Sequence, residues 1–209
     1  EMYPALARAL MAAHYESYLR QVIFITDGSV GNESALFTLI EQQLGNSRLF
    51  TVGIGSAPNS WFMRKAAEAG RGTFTTISAL HEVNEKMERL FRKIELPQVT
   101  DIAVQWPGNV IAESYPATIP DLYAGEPIMV RARLASGVAA NATVLIRGTS
   151  AGGSWDADLD WETGEARSGI GALWARARIE ELMDRRRQGR SEEETRDAVV
   201  AVALKHHLV

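Results

Sequence analysis

Residues 20–32, RQVIFITDGSVGN, indicate how the first half of the chain folds. It contains an unbroken apolar and β-branched run, Val22–Thr26, which is typical of a parallel strand covered on both faces. The run ends at Asp27 and Gly28. In open parallel sheets, ligands bind beyond the carboxyl ends of the strands. The sequence therefore predicts that Asp27 lies at the edge of the sheet where a ligand would bind.

The segments on either side of this strand alternate between helical and strand patterns. Apolar residues at spacings of three and four predict helices over 2–19, 36–44, 62–70 and 80–94. Between them, RLFTVGIGS at 48–56 and GTFTTI at 72–77 predict two further buried strands. Helices and strands that alternate with short connections predict an α/β fold, a doubly wound parallel sheet, over residues 1–96.

The pattern changes at Pro97. Residues 97–165 contain short runs of alternating polar and apolar residues separated by Gly, Pro and Asn, which predict a small antiparallel β-sandwich. Residues 166–209 return to helical spacing, and Ser191 with Glu194 forms the capping-box pattern that begins a last helix. We therefore predict three parts, 1–96, 97–165 and a C-terminal helical segment over 166–209.

The composition excludes several classes of function. The chain has 209 residues and a formal net charge of −4, so it has no global positive field that would bind nucleic acid or an anionic membrane. Because cysteine is absent, disulfides, thiolate metal sites and cysteine nucleophiles are excluded. No apolar run approaches the roughly 18 to 20 residues that span a bilayer. We expect no membrane segment in this chain.

Three roles are open to Asp27 from the local sequence. A carboxylate after a strand can bind a metal, act as a general base or cap the helix that follows. The motifs of this sequence supply neither a pair of nucleophile and base nor a complete set of three metal ligands. We therefore expect a protein without enzymatic activity.

The segments VIFITDG, LFTVGIGS and GTFTTI, with the helices between them, resemble the second half of a von Willebrand factor A domain, a Rossmann-like fold. The resemblance implies that Asp27 is a ligand of a metal-ion-dependent adhesion site. In that family an Asp-x-Ser-x-Ser loop and a threonine also hold the cation, Mg²⁺ or otherwise Mn²⁺ or Ca²⁺, and the partner protein offers a carboxylate to it. Ser29, Asn32 and Glu33 would then lie on the partner-binding face.

The Asp-x-Ser-x-Ser loop does not occur in this sequence. The resemblance implies that the first half of the A domain precedes residue 1, and that the visible half exposes an apolar sheet edge and a sheet face. We expect the missing half to have been removed, to be disordered, or to be supplied by another chain, and we expect this chain to associate with that half or with a second copy. One carboxylate binds Mg²⁺ weakly, so the chain alone is expected to hold little or no metal.

The second half of the chain extends the resemblance. Two segments resemble the region after the A domain in inter-alpha-trypsin-inhibitor heavy-chain-like proteins, and most closely the bacterial marine proteobacterial sortase targets. They are YPATIPDLYAGEPIMVRARL at 115–134 and the stretch 172–209, which begins with ALWARARIEELM. This implies a divalent-cation-dependent adhesion or protein-binding module on the surface of a Gram-negative bacterium, with no nucleic-acid partner. The alternative is a metal-independent stalk or scaffold segment of a bacterial surface protein.

Overall fold

The computed structural model describes residues 2–11, 18–29, 31–95, 97–123, 125–139, 141–161, 169–187 and 191–208. The chain divides into two compact units, Glu1–Pro97 and Gln98–Val209. The division into three parts at 96 and 165 stays a prediction.

The first unit alternates helices with parallel strands. Its strands form one parallel sheet with the order β1-β2-β3, in which Val22 pairs with Leu49 and Thr51 with Phe74. The α/β fold with a parallel sheet, predicted from the sequence, is therefore confirmed. Its elements in chain order are α1 (Met2–Met11), β1 (Gln21–Thr26), α2 (Glu33–Gln43), β2 (Arg48–Ile54), α3 (Ser60–Ala69), β3 (Arg71–Ile77), a 3₁₀ turn (Leu80–Glu82) and α4 (Val83–Glu95).

The ends of two predicted helices differ from the sequence pattern. The helix predicted over 2–19 is described only as α1, and residues 12–17 lie outside the described part of the chain. The helix predicted from Leu80 begins with the 3₁₀ turn. There the carboxylate of Glu82 accepts hydrogen bonds from the backbone N–H groups of Ser78, at 2.8 Å, and Ala79, at 3.3 Å. These bonds satisfy amides that have no partner within the helix.

Helices α1, α2 and α3 cover one face of the sheet. Val22 and Phe24 of β1 pack against a core that these helices build with β2, and Leu36 and Phe62 are fully buried in it. The hydroxyl of Thr51 donates a hydrogen bond of 2.7 Å to the carbonyl of Met63, which satisfies a polar group inside this core. The central strand β2 is buried from Arg48 to Gly53.

Strand β1 forms an edge of the sheet that the described residues build. Side chains alternate along a strand, so Ile25 points away from the core under α1–α3. Helix α4 reaches this second face, where Gln21 Nε2 donates a hydrogen bond of 2.6 Å to the carbonyl of Ile94. Ile25 is nevertheless 50% exposed, and Ile54 at the end of β2 is 36% exposed. The face beside the β1 edge therefore presents apolar side chains to solvent.

The second unit contains antiparallel sheets and two helices. One sheet has the strand order β6-β4-β8-β9, and β5 pairs with β7 in another. The antiparallel strands and C-terminal helices predicted for this half are confirmed, and Ser191 caps the last helix by accepting a hydrogen bond from the backbone of Glu194. The elements are β4 (Pro97–Gln105), a 3₁₀ turn (Pro107–Asn109), β5 (Ala112–Tyr115), β6 (Leu122–Tyr123), β7 (Arg131–Leu134), β8 (Thr143–Ser150), β9 (Gly153–Asp160), α5 (Ile170–Arg187) and α6 (Glu192–Lys205).

Trp174 joins the helices of this unit to the β5–β7 pair. It is buried, and its Nε1 donates a hydrogen bond of 2.9 Å to the carbonyl of Glu113. Its ring lies 6.0 Å from the ring of Tyr115 and 5.4 Å from that of His206, measured between centroids. The guanidinium of Arg133 stacks over the same indole at 4.3 Å. This one side chain therefore contacts β5, β7 and the end of α6.

Glu113 is the acceptor of the polar contacts around that indole. Its carboxylate accepts hydrogen bonds from the hydroxyl of Tyr115 at 2.7 Å, from Arg133 at 2.8 Å, and from Arg178. Burial raises the pKa of the Tyr115 phenol, and the bond to the Glu113 carboxylate raises that pKa further. Because Arg178 belongs to α5, the cluster fixes this helix on the β5–β7 pair.

Candidate functional site at the carboxyl rim

The carboxyl ends of β1 and β2 lie side by side, since Thr26 pairs with Gly53. Two loops leave the sheet at these ends. Residues 27–32, of which residue 30 lies outside the described part, connect β1 to α2, and residues 55–59 connect β2 to α3. We call the two loops together with Glu33 the carboxyl rim. It carries the site residues predicted from the sequence, which are Asp27, Ser29, Asn32 and Glu33.

Asp27 and Ser29 are exposed on the first of these loops. The backbone N–H of Gly28 donates a hydrogen bond of 3.2 Å to the hydroxyl of Thr26, which orders the chain as it leaves the strand. Asp27 is not the cap of α2, because the N-cap residue of that helix is Asn32. The carboxylate of Asp27 is thus directed to the surface of the rim rather than used in starting the helix.

Asn32 has a backbone conformation that few residue types tolerate. Its φ of 61° and ψ of 48° lie in the left-handed region, which asparagine adopts more readily than most other non-glycine residues. Its side chain makes no capping hydrogen bond. Helix α2 follows at once with Glu33, whose negative charge is favourable at a helix N-terminus. Asn32 therefore serves the turn into α2 through its backbone.

Glu33 is half-buried and is bonded across the rim to Asn59, a residue that the sequence analysis did not single out. Asn59 Nδ2 donates to Glu33 Oε1, and Asn59 Oδ1 accepts from the backbone N–H of Phe62 at 3.1 Å, which caps α3. An asparagine directly before a helical apolar pattern is an N-cap signal, so the capping role of Asn59 could be predicted from the sequence. The bond from Asn59 to Glu33 could not be predicted in this way.

Among the described residues, Asp27 does not belong to a group of three acidic, imidazole or thiol ligands. The described part of the chain contains no group of three or more His, Cys, Asp or Glu side chains placed to hold a metal ion together. Mg²⁺ requires near-octahedral oxygen ligands, whereas the first loop offers one exposed carboxylate and the hydroxyl of Ser29. The assignment of Asp27 as a metal ligand, with Ser29, Asn32 and Glu33 on a partner-binding face, stays a prediction.

Comparison with known proteins gives distant relatives. No protein-family model matches the chain. A von Willebrand factor A domain-containing protein of Dictyostelium discoideum is 29% identical over 170 residues, which cover 78% of this chain and 18% of the relative. Inter-alpha-trypsin inhibitor heavy chain H3 of Mus musculus is 23% identical over 206 residues, which cover 90% of this chain and 23% of the relative. The chain thus spans less than a quarter of these relatives.

A solved structure shows the same fold. The von Willebrand factor type A protein from Catenulispora acidiphila matches with a TM-score of 0.51 at 17% identity, over 98% of this chain and 59% of that one. The predicted resemblance to von Willebrand factor A domain and inter-alpha-trypsin-inhibitor heavy-chain proteins is therefore confirmed. The finer likeness to marine proteobacterial sortase targets is not supported by these relatives.

The homology supports the coarser functional prediction, a protein-interaction or adhesion module. One relative carries the name of an enzyme, human protein mono-ADP-ribosyltransferase PARP4, which is 26% identical over 53% of this chain and 7% of its own length. The expectation of no enzymatic activity stays a prediction, as do cation dependence and location on a Gram-negative cell surface. Among the described helices, none has the length and apolar character needed to cross a membrane.

Proposed function

We propose, from the premise that the chain is a homologue of von Willebrand factor A domain-containing proteins and has their fold, that it is a protein-interaction module acting through the carboxyl rim. The observation that carries the proposal is the position of Asp27, exposed on the first residue after the edge strand β1. A carboxylate placed there can contribute to a divalent-cation site. A cation with an open coordination position then binds an acidic side chain of a partner protein.

Further ligands would come from a second polypeptide segment, because the described residues supply no group of three His, Cys, Asp or Glu side chains that could hold a cation. We propose that this segment adds a strand to β1. The backbone N–H and C=O groups on the free side of an edge strand can pair with an added strand. The half-exposed Ile25 offers apolar contact beside that edge. We propose a second copy of this chain as the source of that segment.

Mn²⁺ titration of the 209-residue chain tests the role of Asp27. We expect Mn²⁺ at about millimolar concentration, where a single carboxylate binds weakly, to broaden the amide NMR signals of Gly28 and Ser29. Asp27→Asn, which removes the charge and keeps the size of the side chain, should abolish the broadening. Asp158→Asn is the matched control, because Asp158 is also exposed but lies on β9. Equal broadening in the Asp27→Asn variant would refute the proposal.

A metal-independent scaffold is the second candidate, and the lack of a three-ligand group among the described residues favours it. Sedimentation velocity of the 209-residue chain over a range of concentrations, in Mg²⁺ and in EDTA, distinguishes the two through its association with a second copy. Association that is lost in EDTA supports the cation-dependent module. Association of the same strength in both buffers supports the scaffold.

A further inference from the structure

The loop that carries Asp27 and Ser29 enters α2 without a local side-chain cap. Asn32, at the N-cap position, makes no capping hydrogen bond. The first turn of any helix leaves backbone amides without partners inside the helix, and a capping side chain normally fixes the path of the chain at that point. The side chain that holds this end of the loop comes instead from the neighbouring loop, at Asn59.

Asn59 uses both ends of its side-chain amide. Its Oδ1 accepts from the backbone N–H of Phe62 at 3.1 Å, and its backbone carbonyl accepts from the N–H of Met63 at 3.0 Å. The bond at Oδ1 holds the oxygen end of the amide at the first turn of α3 and leaves the NH₂ end for a second partner. That group donates to Glu33 Oε1, the first residue of α2. The donor is therefore available to Glu33 while the oxygen caps the helix.

An aromatic cluster fixes the two helices that carry this hydrogen bond. The ring of Phe37 on α2 lies 5.2 Å from that of Phe62 and 5.8 Å from that of Trp61, both on α3, measured between centroids. Phe62 is fully buried. Separating the first turns of α2 and α3 would break these contacts. The partners of the hydrogen bond are thus preorganised, and little conformational freedom is lost in forming it.

We propose that Asn59 is a positioning residue of the carboxyl rim, which holds Glu33 and thereby the loop bearing Asp27 and Ser29. Capping α3 needs only an oxygen acceptor, which aspartate or serine would supply equally well. The Nδ2 donor is needed only for Glu33. What the rim binds rests on the function proposed above, whereas the role of the Nδ2 donor can be tested without any ligand.

Asn59→Asp separates the two roles. The variant keeps a capping oxygen for Phe62 but replaces the donor with a carboxylate that repels Glu33. We expect exchange of the Leu36 amide, which bonds the carbonyl of Asn32 at 3.3 Å, to become about tenfold faster, while the Met63 amide of α3 is unchanged. The Gly28 and Ser29 amide signals should shift.

The double variant Asn59→Asp/Glu33→Gln is the rescue. The amide introduced at position 33 can donate to the carboxylate introduced at position 59. The hydrogen bond between the two side chains therefore forms again, with donor and acceptor exchanged. We expect slow exchange at Leu36 and the original Gly28 and Ser29 shifts to return. Asn59→Ser, which removes the donor without adding charge, gives the same comparison if Asn59→Asp does not fold.

Unchanged Leu36 exchange and Gly28 shifts in the single variants, or no recovery in the double variant, would overturn the proposal and leave Asn59 as a helix cap alone. The exchange measurements contain no cation. The exchange rates can therefore support the role of Asn59 even if the Mn²⁺ titration refutes the role of Asp27. The titration can likewise support Asp27 if the exchange rates refute Asn59.

Discussion

Replacing Gly72 by alanine should strongly destabilise the first unit. A Cβ at this buried position of β3 would lie 2.3 Å from the carbonyl oxygen and 2.8 Å from the carbonyl carbon of Leu49, and 3.1 Å from Phe50 Cδ1. The two closest atoms belong to the backbone of β2 and cannot rotate away. The substitution therefore forces β2 and β3 apart next to the shift in their register between Leu49 and Thr51.

The size of the loss follows from this geometry. Real Cβ atoms essentially never approach another atom within 3.0 Å, and the closest contact here would be 2.3 Å. Overpacking a core costs about 1–3 kcal/mol. Because the obstacle is backbone, we expect about 3 kcal/mol, the upper end of that range. With a urea m-value of about 1–3 kcal/mol per molar, the unfolding midpoint should fall by roughly 1–3 M.

Urea titration followed by the amide NMR signal of Val52 measures this loss in the first unit. Gly31→Ala is the matched control, because among the described residues no heavy atom beyond its own chain neighbours lies within 4 Å of the added Cβ, and we expect a change within about 0.5 kcal/mol. Gly45→Ala isolates backbone strain, since its φ is +55° in equally open space, and should cost about 1–2 kcal/mol. Equal midpoints for Gly72→Ala and Gly31→Ala would refute the steric reasoning.

Two further predictions concern single side chains. The hydrogen bond from Lys86, together with those from backbone amides, lowers the pKa of Glu82 to about 2, so its stabilising effect is complete above the ordinary value of 4.5 and is lost as the pH falls towards 2. A ¹³C titration of the Glu82 carboxyl should give that midpoint, Lys86→Met should raise it, and a midpoint near 4.5 in the unsubstituted chain would contradict the hydrogen bonding described. Trp174→Phe removes the donor to the Glu113 carbonyl and part of a buried ring, and should cost the second unit about 2–3 kcal/mol in urea unfolding followed by circular dichroism. A loss below about 0.5 kcal/mol would show that this hydrogen bond and ring contact contribute little.

The local sequence located the elements of the first unit because hydrophobic periodicity reports which side of a helix or strand is buried, whatever covers it. The run Val22–Thr26 lies within β1, and Ser191 begins α6 as its capping pattern predicts. The predicted start of the fourth helix was wrong, since Leu80 belongs to a 3₁₀ turn rather than to α4. Side-chain hydrogen bonds such as those of Glu82 decide where a helix begins, and a periodic pattern does not contain them.

For the candidate site, the sequence likewise predicted which residues lie near one another but not the contacts between them. The rule that ligands bind beyond the carboxyl ends of parallel strands predicted the position of Asp27, whereas Ser29, Asn32 and Glu33 were expected beside it only from the resemblance to an A domain. The bond between Glu33 and Asn59 was not predictable, because it joins residues 26 positions apart through two separate loops. Either residue alone has an ordinary local explanation, a charge at one helix start and a cap at another.

By itself, the sequence determined the alternation of helices and strands, the change of architecture after the first unit and the acid at the end of β1. The exposed face beside β1 was expected from the resemblance to an A domain, but the bond between Asn59 and Glu33 and the contact of Glu113 with Arg178 across 65 residues emerge only in the folded chain. A hydrophobic pattern depends only on the residues of one helix or strand. A hydrogen bond between distant residues depends on strand register and helix packing, which the whole unit sets.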